Sequence, residues 1–311
     1  MKRQALVPAL GLSCALVAAI ALCAGPSGWR LPWPVTDVIT ELRAPRVVLA
    51  ALVGAALAVA GVAMQSLLQN DLADPFVLGL SGGASAGAVT SLAVAPGMPP
   101  GPAAAAGALG AAVLVRWLAR GPYDPARLLL AGVAVGSIGA SATGLVLVLA
   151  PSSRLLRAST YWLFGGLGTP AWSSLIAPAV FLFAAVAWMI ARAERLDRLS
   201  LGPDVAASLG VEVPALQRTV LLLSVALTAV TVSAAGVVGF VGLIAPHAAR
   251  RLIGQGHRGL IPVAALGGAL VVMLADTVAR TAFAPREVPV GLVAAAVGGP
   301  FFLLQLQRGL R

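Results

Sequence analysis

Long apolar runs, separated by short polar connections, occupy most of the sequence. A helix rises about 1.5 Å per residue, so runs of about 20 residues can cross the roughly 30 Å hydrocarbon core of a bilayer. The pattern predicts about ten membrane-spanning helices, of which the fourth is marginal in length and the seventh and eighth are separated only by Ala234, Ala235 and Gly236. The predicted segments are residues 5–24, 46–68, 76–95, 102–119, 127–150, 171–191, 215–234, 236–253, 260–281 and 288–307.

The composition also indicates a membrane protein. Of the 311 residues, 59% are hydrophobic and 10% are charged, and the mean hydropathy is +0.95. A soluble domain carries about 25% charged residues, whereas one charge at the bilayer centre costs roughly 2.5–3.5 kcal/mol. The net charge of +10 would suit nucleic-acid binding, but the basic residues form short clusters between apolar runs rather than one stripe with interleaved aromatic residues. We predict a single transmembrane domain over residues 1–311.

The first apolar run is open to two interpretations. Lys2 and Arg3 followed by an apolar run resemble a secretory signal, but residues 6–24 are about long enough to span the membrane. Because everything downstream is also apolar, we favour an uncleaved first helix. Cys14 and Cys23 lie in this run and form no metal or disulfide framework, so we interpret them as small apolar helix residues.

The distribution of arginine and lysine predicts the orientation in the membrane. With a cytoplasmic N-terminus and an even number of crossings, fourteen basic residues lie inside and seven outside, in agreement with the positive-inside rule. The fourteen are Lys2, Arg3, Arg116, Arg120, Arg127, Arg192, Arg195, Arg198, Arg218, Arg250, Arg251, Arg258, Arg308 and Arg311, and the seven are Arg30, Arg43, Arg46, Arg154, Arg157, Arg280 and Arg286. The outer seven either are spare charges at the headgroup level or face an acidic partner.

One long polar connection, at about residues 192–214, lies on the predicted cytoplasmic side. Within it, Pro203 suits the first turn of a helix and Gly210 suits a C-terminal cap. The short helix between them carries Val205 and Leu209 at helical spacing and is too small to be stable alone. It packs either on the protein's own helix ends or on a partner subunit.

Several kinds of chemistry are excluded by what the sequence lacks. Lys2 is the only lysine, so the phosphate-binding loop G-x-x-x-x-G-K-[ST] cannot occur and the chain cannot bind ATP in that manner. The motifs H-E-x-x-H and G-x-S-x-G and paired-cysteine metal patterns do not occur either. We interpret His247 and His257 as structural or solvated residues. Asp276 is the best mid-membrane carboxylate and stands nearly alone, which argues against a proton relay.

A series of motifs follows one order along nearly the whole chain. They are residues 43–46 (RAPR), 53–61 (VGAALAVAG), 64–65 (MQ), 69–75 (QNDLADP), 78–84 (LGLSGGA), 127–133 (RLLLAGV), 161–167 (YWLFGGL), 239–247 (GFVGLIAPH) with Arg250, 274–280 (LADTVAR), 288–291 (VPVG) and 299–302 (GPFF). Together they resemble the FecCD-type, or vitamin-B12-permease-like, permeases of bacterial ATP-binding-cassette (ABC) importers for iron-siderophores, haem and cobalamin. Asp71 stands where that family commonly has proline, Ala294 where it often has threonine, and the loop 123–126 is not rich in small hydroxyl residues as in some members.

The resemblance implies an all-α membrane protein of the type II ABC importer fold, with ten helices per subunit. The subunit would pair with a second copy of itself, with the pathway between the copies. Two ATPase subunits would bind the cytoplasmic loops, and a periplasmic binding protein would deliver the cargo. The chain would hold no cofactor, because ATP and Mg²⁺ bind to the ATPase. It would lie in the bacterial inner membrane with both termini in the cytoplasm.

The resemblance also implies roles for particular residues, none of them catalytic or metal-binding. ATPase coupling is expected at Leu201, Gly202, Asp204, Val205, Ser208, Leu209 and Gly210. Docking of the binding protein is expected at Arg43, Arg46 and Arg280, and a pathway or gate at Gly79, Ser81, Gly82, Gly83, Asp124, Gly239 and Gly242. The expected mechanism is alternating access, in which ATP-driven closure of the partner dimer moves the 203–210 helix as a lever.

Two rival functions fit the composition less well. The sequence lacks the mid-membrane carboxylates expected of a secondary transporter driven by an ion gradient, and that function gives no role to the 203–210 helix. An intramembrane enzyme lacks a nucleophile–base pattern. No residue chooses between iron-siderophore, haem and cobalamin as the cargo.

Overall fold

The computed structural model describes residues 2–25, 28–29, 37–121, 123–149 and 152–309. Over these residues it contains a minimal antiparallel hairpin, β1 (Ala24–Gly25) with β2 (Gly28–Trp29), and a series of α-helices. The helices are α1 (Lys2–Cys23), α2 (Ala44–Leu68), α3 (Leu80–Val94), α4 (Gly101–Leu118), α5 (Pro125–Val148), α6 (Ser153–Leu163), α7 (Ile176–Ala191), α8 (Ala193–Leu199), α9 (Pro203–Ser208), α10 (Val213–Ala235), α11 (Val241–Ile253), α12 (His257–Thr281) and α13 (Val290–Gly309). The predicted topology residues Arg30 and Arg311 lie outside the described residues.

Each of the ten predicted segments overlaps a helix, namely α1 to α5, α7 and α10 to α13. Among the described residues, seven helices are long and apolar enough to cross a membrane. The remaining three, α3, α11 and α13, have shorter described apolar stretches. The all-α membrane fold is therefore confirmed, and ten stays an approximate number of crossings.

Two predicted helix starts are wrong because the backbone turns there. The sequence predicts a helix over 76–95, but Pro75–Leu78 forms a 3₁₀ turn and α3 begins only after Gly79, whose φ is 71°. The eighth predicted segment begins at Gly236, which instead takes a φ of 67°, and Phe240 takes a φ of 68° before α11. A positive φ is uncommon for a non-glycine residue such as Phe240. The apolar run continues through residues 237–241, so the hydrophobic pattern does not reveal the break between α10 and α11.

The central helix is α2, which is buried along most of its length and is surrounded by α7, α10, α11 and α12. Glycines allow these backbones to touch. A Cβ atom on Gly54 would strike the carbonyl of Gly268 in α12, and a Cβ atom on Gly61 would strike the carbonyl of Gly242 in α11. Because lipid provides no hydrophobic drive between helices, close packing at small residues holds the bundle together.

A helix that the sequence pattern does not predict, α6, lies between the fifth and sixth segments. Its 11 residues are too few to cross the membrane, and the side chain of Ser152 caps it by accepting a hydrogen bond of 3.3 Å from the backbone N–H of Leu155. Leu155 and Ser159 are buried, whereas Arg154 and Arg157 are exposed. The helix is amphipathic and presents its arginines on the predicted outer side.

Candidate functional site

The coupling segment, named for its predicted role and defined as residues 201–210, contains α9. Pro203 is its first residue, as predicted, because the N–H that proline lacks has no partner in a first turn. Gly202 precedes the helix with a φ of 113°, and Gly210 follows it with a φ of 78°. Glycine adopts such conformations without steric cost, so these two residues define the ends of the helix.

The apolar face of the coupling segment is open in this chain. Leu201, Val205 and Leu209 are 64%, 45% and 48% exposed, while Ala206 is fully buried. Arg198 in α8 donates a hydrogen bond of 3.3 Å to the carbonyl of Leu209 and so holds the far end of the segment. The segment is therefore anchored through one side, and the leucines and valine are left uncovered by the described part of the chain.

Two hydrogen-bonded links join α8 to α2 and α12. Asp197 Oδ1 accepts a 2.8 Å hydrogen bond from the backbone N–H of His257 and lies 2.6 Å from its Nδ1 atom. The Nε2 atom of His257 lies 2.6 Å from Ser66 Oγ in α2. In parallel, Gln69 Nε2 donates to the carbonyl of Leu199 at 2.9 Å. The end of α8 is thus hydrogen-bonded to the ends of two long helices.

A second polar contact joins α11 to the end of α2. Gln65 Nε2 donates to the carbonyls of Ala73 and Gly242, both at 3.2 Å, and Gln65 Oε1 accepts a hydrogen bond from Arg250. Arg250 also lies 3.5 Å from Asp71. The sequence analysis counted Arg250 only as a cytoplasmic charge and gave Gln65 no role, although both lie in the quoted motifs. It could not pair residues so far apart in the chain.

An ion cluster on the predicted outer side, called the outer ion cluster below, consists of Arg46, Asp276, Arg280 and Glu287. Arg46 Nε lies 3.0 Å from Asp276 Oδ1, and Arg280 Nε lies 3.0 Å from Asp276 Oδ2. Arg46 Nη1 lies 3.0 Å from Glu287. Two guanidinium groups therefore enclose the Asp276 carboxylate, a pairing that the sequence analysis did not predict.

Two of the three predicted docking arginines, Arg43 and Arg280, also hold the end of α1. Arg43 Nη1 donates to the carbonyls of Leu22 and Cys23 at 2.8 and 3.1 Å, and Arg280 donates to two carbonyls at the same helix end. Positive charge at a helix C-terminus is favourable. Arg46 and Arg280 are only 7% and 2% exposed, so as placed their guanidinium groups face the protein interior. Their role in docking stays a prediction that this burial does not support.

Three of the predicted pathway residues come together in the α3–α5 groove, a cavity of about 510 Å³. Gly79, Ser81 and Gly82 line it from the α3 side, and Gly136 and Ser137 line it from α5. A Cβ atom on Gly82 would strike the carbonyl of Gly136. The glycines therefore keep α3 and α5 in contact, and the serines place hydroxyl groups along an otherwise apolar groove.

The structure places the other four pathway residues elsewhere. Gly83 faces α4, where a Cβ atom would strike the carbonyl of Gly107, and Gly242 packs against α2. Asp124 caps α5 by accepting hydrogen bonds from two backbone N–H groups of its first turn. Gly239 lies in the connection between α10 and α11, with open space where a side chain would point. A pathway role for these four residues stays a prediction.

Known proteins resemble this chain over nearly its whole length. The model of the FecCD transport family matches residues 11–308. The hemin transport system permease protein HmuU of Yersinia pestis is 41% identical over 276 residues, which cover 86% of this chain and 82% of that protein. The cobalamin import system permease protein BtuC of Halobacterium salinarum is 40% identical over 288 residues, which cover 91% of this chain and 77% of that protein.

One solved structure supports the same assignment. It is described as a metal-chelate type ABC transporter in an inward-facing conformation, and it superposes with a TM-score of 0.88 at 28% identity, covering 98% of this chain and 99% of that chain. The motif order, the helix arrangement and the match over residues 11–308 agree. This chain belongs to the FecCD transport family.

Proposed function

We propose that this chain is the membrane-spanning permease subunit of an ABC importer that moves a metal-chelate from the periplasm to the cytoplasm. Iron-siderophore, haem and cobalamin are the candidate cargoes, because relatives are named for hemin, achromobactin and cobalamin. The complete importer would contain a second copy of this chain, two ATPase subunits that bind ATP and Mg²⁺, and a periplasmic binding protein. The location would be the bacterial inner membrane, with both termini in the cytoplasm.

The observation that carries this proposal is the anchored but uncovered coupling segment. Val205 and Leu209 expose an apolar face beyond the helix bundle, while Asp197 ties the preceding helix to α12. An exposed apolar face bounded by polar residues is typical of a protein–protein contact. A partner that bound this face and moved would displace α2 and α12 through the hydrogen bonds around His257.

The α3–α5 groove supports pairing with a second copy. Its wall on α5 includes exposed residues such as Val133 and Ser137, and α5 as a whole is mostly uncovered. A second copy placed on α5 would close the groove into a passage lined by small apolar side chains and hydroxyl groups. Such a lining binds bulky cargo weakly, as a passage requires.

Docking of a binding protein is supported by the exposed arginines of the predicted outer side. Arg154 and Arg157 on α6 and Arg286 before α13 are exposed, and Arg43 is partly exposed. Exposed ion pairs contribute roughly 0–1 kcal/mol each, so these arginines would steer an acidic partner and set its orientation rather than provide most of the affinity.

The proposal is tested by whether the coupling segment binds an ATPase. The variant Val205→Asp/Leu209→Asp places two charges on the exposed face, and we expect loss of co-purification with the cognate ATPase subunit. The matched control is Val94→Asp/Met98→Asp, which places two charges on exposed apolar residues at the opposite end of the bundle. Equal recovery of the ATPase with both variants would contradict the proposal.

A further inference from the structure

We propose that the α4–α10 cavity binds one anionic phospholipid. This cavity of about 520 Å³ lies between α4, the start of α5 and the first half of α10, and is separate from the α3–α5 groove. Its polar lining consists of Arg116, Tyr123, Asp124, Gln217 and Arg218, and the rest of its lining is apolar. The phosphate would lie at the two arginines and one acyl chain would enter the apolar part.

The polar end of the cavity carries uncompensated positive charge. Arg116 and Arg218 are exposed, and within the described part of the chain neither forms an ion pair. Arg116 uses one N–H to donate to the carbonyl of Ala119 at 3.0 Å, which leaves most of its five N–H groups available. Asp124 also lines the cavity, but its carboxylate lies 3.3 Å from Arg127 Nε and caps α5. The net field at this end therefore favours an anion.

Gln217 provides a further polar group at this end of the cavity. Its side chain is 6% exposed and lines the cavity, yet it has no hydrogen-bond partner among the residues that the structure describes. Ester or phosphate oxygens of a lipid would accept hydrogen bonds from its NH₂ group, and Gln217 lies one residue before Arg218 on α10.

The remainder of the cavity suits an acyl chain. From Arg218 to Val225, α10 advances about 10 Å along its axis, and the lining over this depth is apolar. Leu109, Val113 and Leu222 at its edge are exposed large hydrophobic residues, so the cavity opens toward the membrane rather than toward an aqueous loop. Basic pockets between membrane helices are typical binding sites for anionic headgroups.

An aromatic residue beside the cavity indicates that the polar end of the cavity lies at the level of the lipid headgroups. Trp117 is exposed, and the guanidinium carbon of Arg120 lies 5.1 Å from the centre of its ring. Tryptophan is enriched at membrane–water interfaces. The cavity also reaches Tyr123, whose hydroxyl donates to the carbonyl of Leu67 at 2.8 Å. A bound lipid would therefore support the connection between α4 and α5.

The test is binding of defined lipids to the purified full-length chain, measured by native mass spectrometry. We expect phosphatidylglycerol to bind one site about tenfold or more tightly than phosphatidylcholine with the same acyl chains, since two arginines act at headgroup level. Arg116→Gln/Arg218→Gln should abolish that preference. The control Arg195→Gln/Arg258→Gln removes the same charge from exposed residues on the same predicted side, outside the cavity, and should keep it.

A second variant tests the apolar part without changing charge. Val113→Trp fills the space meant for the acyl chain and should weaken phosphatidylglycerol binding, whereas Val180→Trp on an exposed face of α7 should not. Equal binding of the two phospholipids, or an unchanged preference in Arg116→Gln/Arg218→Gln, would overturn the proposal. Inorganic phosphate that displaced phosphatidylglycerol from the site would also overturn it, because the site would then recognise free phosphate rather than a lipid.

Discussion

Replacement of Asp276 tests whether the outer ion cluster is built as described. Asp276→Asn keeps the size of the side chain but removes the negative charge between Arg46 and Arg280. Arg46 would retain Glu287, 3.0 Å away. Arg280 would retain only its hydrogen bonds to the carbonyls at the end of α1 among the residues that the structure describes.

The expected loss of stability follows from burial. Asp276 and Arg280 are 1% and 2% exposed, and removal of one partner from a buried ion pair costs about 3–5 kcal/mol. The Glu287 side chain, which is 33% exposed, compensates part of the charge on Arg46. We therefore expect Asp276→Asn to lower the free energy of unfolding by about 3 kcal/mol, near the lower end of that range.

The measurement is unfolding of the purified protein in mixed micelles, followed by circular dichroism as the denaturing detergent is increased. Asp204→Asn is the matched control, because Asp204 is an exposed acid on α9 and such surface changes fall within about 0.5 kcal/mol. Adding Arg46→Gln to Asp276→Asn should cost less than the sum of the single changes, with a coupling of about 0.5–3 kcal/mol. A loss below about 1 kcal/mol for Asp276→Asn would refute the reasoning, because the paired charges would then not be desolvated.

Three further predictions concern the helix contacts, the coupling link and a loop carboxyl. Gly82→Leu should lower stability by about 1–3 kcal/mol through overpacking against α5, whereas Gly110→Ala should not, since its Cβ meets open space; thermal denaturation measures both. His257→Phe removes the link between α8 and α2 and should reduce ATP hydrolysis stimulated by the binding protein while ATPase binding persists. Burial raises the pKa of Asp74 to about 6. Ionisation of Asp74 between about pH 4 and 6 therefore destabilises the folded loop. Amide hydrogen exchange in residues 69–79, corrected for the intrinsic exchange rate, should be faster at pH 7 than at pH 5. In Asp74→Asn the corrected exchange rates at the two pH values should be equal.

Each of these predictions has a contrary outcome. Equal melting temperatures for Gly82→Leu and Gly110→Ala would show that α3 and α5 are not in backbone contact. Full stimulated hydrolysis in His257→Phe would show that the link transmits nothing. Exchange in the wild type that did not depend on pH would mean that the Asp74 carboxyl is hydrated.

Local signals in the sequence were sufficient for the approximate positions of the long helices and for the ends of α9. Apolar length alone predicts where the spanning helices lie, because the bilayer thickness sets their length. Pro203 and Gly210 predict the ends of α9, because the effect of each residue on backbone conformation is local to its own position. Helix α6 escaped prediction, since its 11 residues are amphipathic and give no signal of membrane length.

Contacts between distant residues could not be predicted from the sequence. Arg46 and Asp276 are 230 positions apart, and nothing local indicates that they meet. Arg280 lies near a helix end, which suggested an outward-facing charge. Its guanidinium group turns inward instead, because Asp276 and the last carbonyls of α1 provide partners there. The docking role assigned by resemblance therefore depends on side-chain directions that only the packed helices determine.

Uptake by reconstituted vesicles tests the importer proposal most directly. Proteoliposomes containing this chain and its cognate ATPase would be supplied with binding protein and, in turn, with an iron-siderophore, haem and cobalamin. The account predicts that one of these cargoes accumulates only when ATP is hydrolysed, and that Val205→Asp/Leu209→Asp abolishes the uptake. Accumulation by this chain alone, driven by a pH or sodium gradient without the ATPase, would contradict it.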